Sequence, residues 1–188
     1  MTNVMPPYQT LHVANSVLGR AFKEGRNDIT PLKLQKMVYF LNGWHLAIED
    51  IPAIDAPFEA WQYGPAVSII YQEFKDFGRN GINRYAKEFD LQSGEFKSYI
   101  VGIDQIKFYE ILDAVWEQYV GYSPLTLSAM THQDASPWST AYASGGGKIS
   151  SKEIKNYFVS TVISREKVKP RAFSFLLAKV VQIPRLAF

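Results

Sequence analysis

The chain has 188 residues, 47% of them hydrophobic and 14% aromatic, with no cysteine and a formal net charge of +2. That much apolar material predicts a folded domain with a substantial core, and the missing thiols exclude disulfides, thiolate catalysis and cysteine zinc sites, leaving three histidines as soft metal ligands. No run of about 18 apolar residues occurs, and the opening MTNVMPPYQT lacks the basic and apolar regions of an export signal, so the expectation is a cytoplasmic protein without a membrane span.

In chain order, Leu11, Ala14, Leu18, Ala21 and Phe22 follow helical spacing up to a stop at Gly25. Thr30-Pro31 then marks a helix start: a capping hydroxyl stands before a proline whose missing N–H costs nothing in the first turn, and Ile29 and Leu34 flank it as a hydrophobic staple. In Pro31 to Asp50, Leu34, Met37, Val38, Leu41, Trp44 and Ile48 form one apolar face and Leu32, Tyr39 and Leu46 another. Apolar surface on two sides predicts a central helix. Gln35, Asn42 and Glu49 form a narrow polar stripe between the faces. Gln35 therefore reads as a structural hydrogen-bonder first and a binding residue second, and His45 as a buried histidine with a hydrogen-bond partner rather than a metal ligand.

Phe58 to Tyr63 is aromatic enough for a strand, and Gly64-Pro65 has the form of a further helix start, leading to Val67, Ile70, Tyr71 and Phe74. The segments YAKEFDLQ and EFKSYIV around Ser93-Gly94 predict a hairpin. Phe108, Ile111, Leu112, Val115 and Tyr119 form a helical stripe whose other side carries Glu110, Asp113 and Glu117, a solvated face or one that meets a basic partner. Ser123-Pro124 and Ser136-Pro137 repeat the capping signal. Ser150 with Glu153 fits a capping box before Ile154, Tyr157 and Phe158. The fold class expected is mainly α (α+β), about six helices with a small antiparallel β element, in a domain over residues 8–162. Residues 163–188 form an extension.

That extension is distinct in charge. Residues 1–150 hold 12 basic against 16 acidic residues, whereas residues 151–188 hold 8 against 2. Its cluster of Arg165, Lys167, Lys169 and Arg171 is a solvated segment or a contact for an anionic partner, and the near-neutral whole makes nucleic acid an unlikely partner. Phe173 to Ile183 is too apolar for a free tail and is expected to pack on the domain or in a partner interface. The final Leu186-Ala187-Phe188 reads either as a packed end or as a degradation signal.

The stretch THQDASPWSTAYASGGGKIS, Thr131 to Ser150, mixes signals of chemistry and of architecture. Thr131 to Ala135 would close the helix begun at Ser123, Ser136-Pro137 would start another with Trp138 in the core, and the glycines would end it. A phosphate cradle needs Lys then Ser or Thr after its last glycine, but Ile149 follows Lys148. Hydrolysis by His132 with Asp134 or Ser128, or by His45, lacks an oxyanion-hole motif or a nucleophile elbow. No cofactor is called for.

Four motifs in this order carry a resemblance: ITPLKLQKMVYFLNGWHLA with Pro31, Leu34, Gln35 and Lys36; Tyr63-Gly64-Pro65; Thr131-His132 with Pro137-Trp138; and EIKNYFV. Together they resemble the Panacea domain of SocA-like antitoxins and GepA-like phage-associated proteins. The resemblance implies a bacterial or prophage antitoxin that binds a cognate protein toxin, with no chemistry of its own. It further implies, as an alternative, an adaptor that delivers the toxin to a AAA+ protease. The motif residues are expected to be mainly structural. Glu110, Asp113, Glu117, Lys169 and Arg171 are the candidates for partner contact.

Overall fold

The computed structural model describes residues 5–165. Among them are seven α-helices: α1 (Thr10–Lys23), α2 (Pro31–Glu49), α3 (Ser68–Phe74, followed by a 3-10 turn at Lys75–Phe77), α4 (Ile106–Tyr119), α5 (Pro124–Thr131), α6 (Pro137–Ala143) and α7 (Ser151–Arg165). Two antiparallel pairs complete the fold, β1 (Glu59–Trp61) with β2 (Gly64–Ala66), and β3 (Glu88–Asp90) with β4 (Glu95–Lys97). The fold is mainly α with small β elements, as the spacing predicts.

The three Ser/Thr-Pro signals all mark helix starts. Thr30, Ser123 and Ser136 each accept the backbone N–H three residues on, and Pro31, Pro124 and Pro137 open the helices. Gly64-Pro65 does not start a helix. It lies in β2, where Gly64 adopts φ +98° and Pro65 pairs with Ala60, and α3 begins only at Ser68. The hairpin turns at Gly94, φ +70°, as expected of Ser93-Gly94, and aligns Phe89 with Phe96.

Helix α2 is buried on every side: from Pro31 to Ala47 only Leu32 is partly exposed. Helices α1, α3, α4, α5 and α7 and strand β2 all pack on it. The Phe40 ring stacks on Tyr119 at 4.2 Å, and the Trp44 indole donates to the Tyr119 hydroxyl at 3.2 Å. Gly43 admits Phe158 of α7 directly onto the backbone, because a Cβ there would overlap the Phe158 ring.

Both neighbours run antiparallel to α2. For α4, Tyr8 packs against Phe108 and against His45 of α2, while Lys33 in the first turn of α2 donates to the Val120 carbonyl at 2.7 Å. For α7, Lys155 meets Asp50 at 2.5 Å just past the end of α2, and Phe158 lies at Gly43. Helices α4 and α7 therefore both end toward the N-terminus of α2.

Helix α1 positions the β3–β4 region. The Asn15 amide donates to the carbonyls of Ala86 and Tyr99 and accepts the Ala86 N–H, and Ser16 accepts the Val101 N–H. Four backbone groups on either side of the hairpin are thus held by two polar side chains buried in α1.

Candidate functional site

The sequence motifs converge on the β1–β2 turn. Lys36 lies 1% exposed on α2, and its ammonium donates to the Pro65 carbonyl at 2.9 Å. Next to it, the Gln35 amide both donates to the Val67 carbonyl and accepts the Val67 N–H, each at 2.9 Å. From α5, the Ser128 hydroxyl donates to the Tyr63 carbonyl at 2.7 Å. From α6, the Trp138 indole donates to the Trp61 carbonyl at 2.8 Å. Three helices thus grip carbonyls of one seven-residue span, Trp61 to Val67.

Gly64 is required at the centre of this grip. Its φ of +98° is left-handed, and a Cβ there would lie 2.5 Å from Thr131 Oγ1 and 2.9 Å from Lys36 Nζ. Thr131 is itself buried and donates to the Ser128 carbonyl, and Ser136 donates to the Thr131 carbonyl. Behind the turn, His132 stacks on Trp138 at 3.7 Å and Trp138 on Tyr142 at 4.7 Å. Trp138 is buried, as its place after Ser136-Pro137 predicts.

Electrostatically, Lys36 is a buried amine with no carboxylate paired to it among the described residues. Burial lowers the Lys36 pKa to about 7. Burial also pushes His132 below the usual histidine range, and the nearby Lys36 charge pushes it further. The His132 Nε2 atom is buried without a hydrogen-bond partner among the described residues. Asp134 is exposed, and Ser128 is committed to the Tyr63 carbonyl, so the structure does not assemble a triad from these residues. His45 is likewise structural: it is 1% exposed, its Nδ1 donates to the Ile51 carbonyl at 2.7 Å, and burial lowers its pKa. Among the described residues no group of three histidine and acidic side chains could hold a metal.

The glycine run closes the sheet rather than cradling an anion. Gly145, Gly146 and Gly147 all have positive φ, and they lead the chain onto β1, where Ala60 donates to Gly147 and Ile149 to Phe58, both at 2.8 Å.

Above the buried groups the surface is aromatic. Tyr63, at the turn, is 58% exposed, Trp61 packs edge-on to the exposed Tyr71 of α3 at 5.1 Å, and Ile69 and Tyr142 are exposed as well. Sequence reading missed this surface, since a lone tyrosine in a strand-like run carries no sign of exposure. The acidic candidates sit elsewhere. Glu110, Asp113 and Glu117 are exposed on α4, where Glu110 meets Lys107 at 2.7 Å and Asp113 meets Arg20 at 3.2 Å. Lys169, Arg171 and Leu186-Ala187-Phe188 lie outside the described residues.

The model of the SocA-like antitoxin family, the Panacea domain, matches residues 34–139, which contain Lys36, the β1–β2 turn, Thr131, His132 and Trp138. The chain belongs to this family. It is 31% identical over 137 residues to "Antitoxin SocA" of Caulobacter vibrioides (strain NA1000 / CB15N), an alignment covering 69% of this chain and 72% of the relative. No solved structure shows significant similarity to it. An antitoxin role follows from membership, and no helix among the described residues is long and apolar enough to cross a membrane.

Proposed function

We propose that this chain is the antitoxin of a type II pair in the bacterial cytoplasm, neutralising a co-encoded protein toxin by direct binding rather than by catalysis. The observation that carries this reading is the presentation of Tyr63: an exposed aromatic on a turn whose carbonyls are held by Lys36, Ser128 and Trp138. An aromatic anchor on a pre-organised turn loses little conformational freedom on docking, which is how a small interface gains affinity. Tyr71, packed on Trp61, and Tyr142, stacked on Trp138, flank the turn.

The test is co-expression with the neighbouring gene product, followed by purification and a neutralisation assay. The unchanged chain is expected to form a stable complex. Tyr63→Asp/Tyr71→Asp is expected to keep its thermal midpoint and lose about 1000-fold in affinity, roughly two hot-spot residues' worth. Neutralisation without any complex would overturn direct binding. A fall in toxin level that requires a AAA+ protease would instead identify proteolytic delivery.

A further inference from the structure

The β3–β4 hairpin opens a region of bare apolar surface. Among the described residues, seven of the fifteen exposed large hydrophobic side chains lie between Phe89 and Ile106, so this part of the molecule has the most apolar area left for a partner to cover. Phe89 is 53% and Phe96 67% exposed, and their rings meet edge-on across the strands at 5.4 Å. Alternation along the strands puts them there. Glu88 Oε2 lies 3.2 Å from His12 Nε2 of α1, so Glu88 and its cross-strand partner Lys97, with Asp90 and Glu95, occupy the α1 side of the hairpin and both phenylalanines the other.

Strand β4 pairs with β3 on one side and with no strand on the other among the described residues. Such an edge offers a row of backbone donors and acceptors, a template for one more strand. The side chains decide which strand fits. When a copy of the same strand is added antiparallel, the two-fold axis stands normal to the sheet, so each residue is opposed by one from its own face and the register is centred on a single residue. Centred on Glu95, two glutamates would be opposed, and centred on Lys97, two lysines. Centred on Phe96, Glu95 lies opposite the second copy's Lys97, twice over, and the two Phe96 rings are neighbours. Strand β3 has no such register: a centre on Glu88 or Asp90 opposes like charges directly, and a centre on Phe89 sets Glu88 against Asp90. Only the β4 edge is self-complementary. Lys97 already meets Asp90 at 3.0 Å and keeps donors for a second carboxylate, while Glu95 is exposed and has no ion pair among the described residues.

We propose that two copies of this chain associate through β4, forming an antiparallel four-stranded sheet in the order β3, β4, β4, β3 with its two-fold axis at Phe96. This contact is independent of how a toxin is bound at the β1–β2 turn.

The absence of cysteine makes the test direct. In the full chain, Phe96→Cys places one thiol at the axis, where opposed Cβ atoms are about 4.5 to 5.5 Å apart and a small adjustment reaches disulfide geometry. Phe89→Cys is the reference: it is also more than half exposed, but in the paired sheet it lies three strand spacings, about 14 Å, from its counterpart. Under mild oxidation Phe96→Cys is expected to form covalent dimer about tenfold faster than the reference, a modest gain for thiols held side by side. Adding Glu95→Lys alone, or Lys97→Glu alone, to the Phe96→Cys chain should return the rate to that of the reference. Mixing those two variants should restore the fast rate, because each then supplies the charges that the other lacks. The proposal is overturned if Phe96→Cys is trapped no faster than Phe89→Cys, if either charge variant alone is trapped as fast as its parent, or if mixing fails to restore the rate. Trapping that occurs only with toxin present would assign the edge to the toxin complex and also overturns it.

Discussion

The Lys36 ammonium donates to the Pro65 carbonyl at 2.9 Å from a wholly buried position, with no carboxylate opposite it among the described residues. Its pKa is lowered by burial to about 7 in the fold, against 10.5 for an ordinary lysine. Between those values the unfolded chain binds one more proton than the folded one, so raising the pH favours folding. Stability is expected to rise by about 1.4 kcal/mol per pH unit between roughly pH 7.5 and 9.5. Above pH 10 it should fall again, because Tyr39, whose pKa is raised by burial, would ionise only in the unfolded chain. Lys36→Met, which keeps the volume and removes the charge, should abolish the alkaline gain. Urea titrations across this range measure both slopes, and an equal slope in the two proteins would refute the assignment to Lys36.

On the acid side, His45 and His132 control the behaviour. Both are held below the usual histidine range, first of all by burial. Unfolding lets them take up protons, so stability should decline as pH falls through about 6.5. Histidine ring resonances in NMR should show both side chains titrating at lower pH in the folded protein than in the unfolded chain.

Gly64→Ala is expected to destabilise the fold by about 2 to 4 kcal/mol, since backbone strain and a clash with Thr131 and Lys36 add together. Gly147→Ala has the same φ, +98°, but meets nothing within 4 Å and should lose only about 1 kcal/mol. Thermal melts of the pair separate steric closure from backbone strain.

Trp138→Ala removes the middle of the His132–Trp138–Tyr142 stack and the bond to Trp61, and should destabilise by about 3 to 5 kcal/mol. His132→Phe keeps a stacked ring and deletes the unpartnered Nε2. It should leave stability and neutralisation intact. A folded His132→Phe protein without activity in the neutralisation assay would give His132 a chemical role after all.

Local signals were the legible part of the sequence. Thr30, Ser123 and Ser136 marked helix starts because capping depends on a few adjacent atoms, and Ser93-Gly94 marked a turn because only glycine accepts its φ without strain. The two apolar faces of α2 signalled its central place. Gly64-Pro65 misled because a proline opens a helix and tolerates a strand edge equally well, and the choice was made by partners distant in sequence, Lys36 and Ser128. Burial of Lys33 and Lys36 was illegible for the same reason. Lysine is ordinarily a surface residue, and only the assembled turn and the end of α4 provide the carbonyls that receive these two.

The small sheet has no free margin. On one side Ala60 and Ile149 tie β1 to the glycine run through Gly147 and Phe58, and on the other Pro65 has no N–H to offer and its carbonyl is taken by Lys36. A partner therefore cannot dock by adding a strand to the β1–β2 sheet, a mode that needs an exposed row of donors and acceptors and is largely indifferent to which side chains the guest brings. On the proposed binding mode, recognition at this end of the molecule would fall to side chains such as Tyr63 and Tyr71 instead. Relatives sharing the same backbone could then change their choice of toxin by substituting a few surface residues, leaving the buried turn as it is.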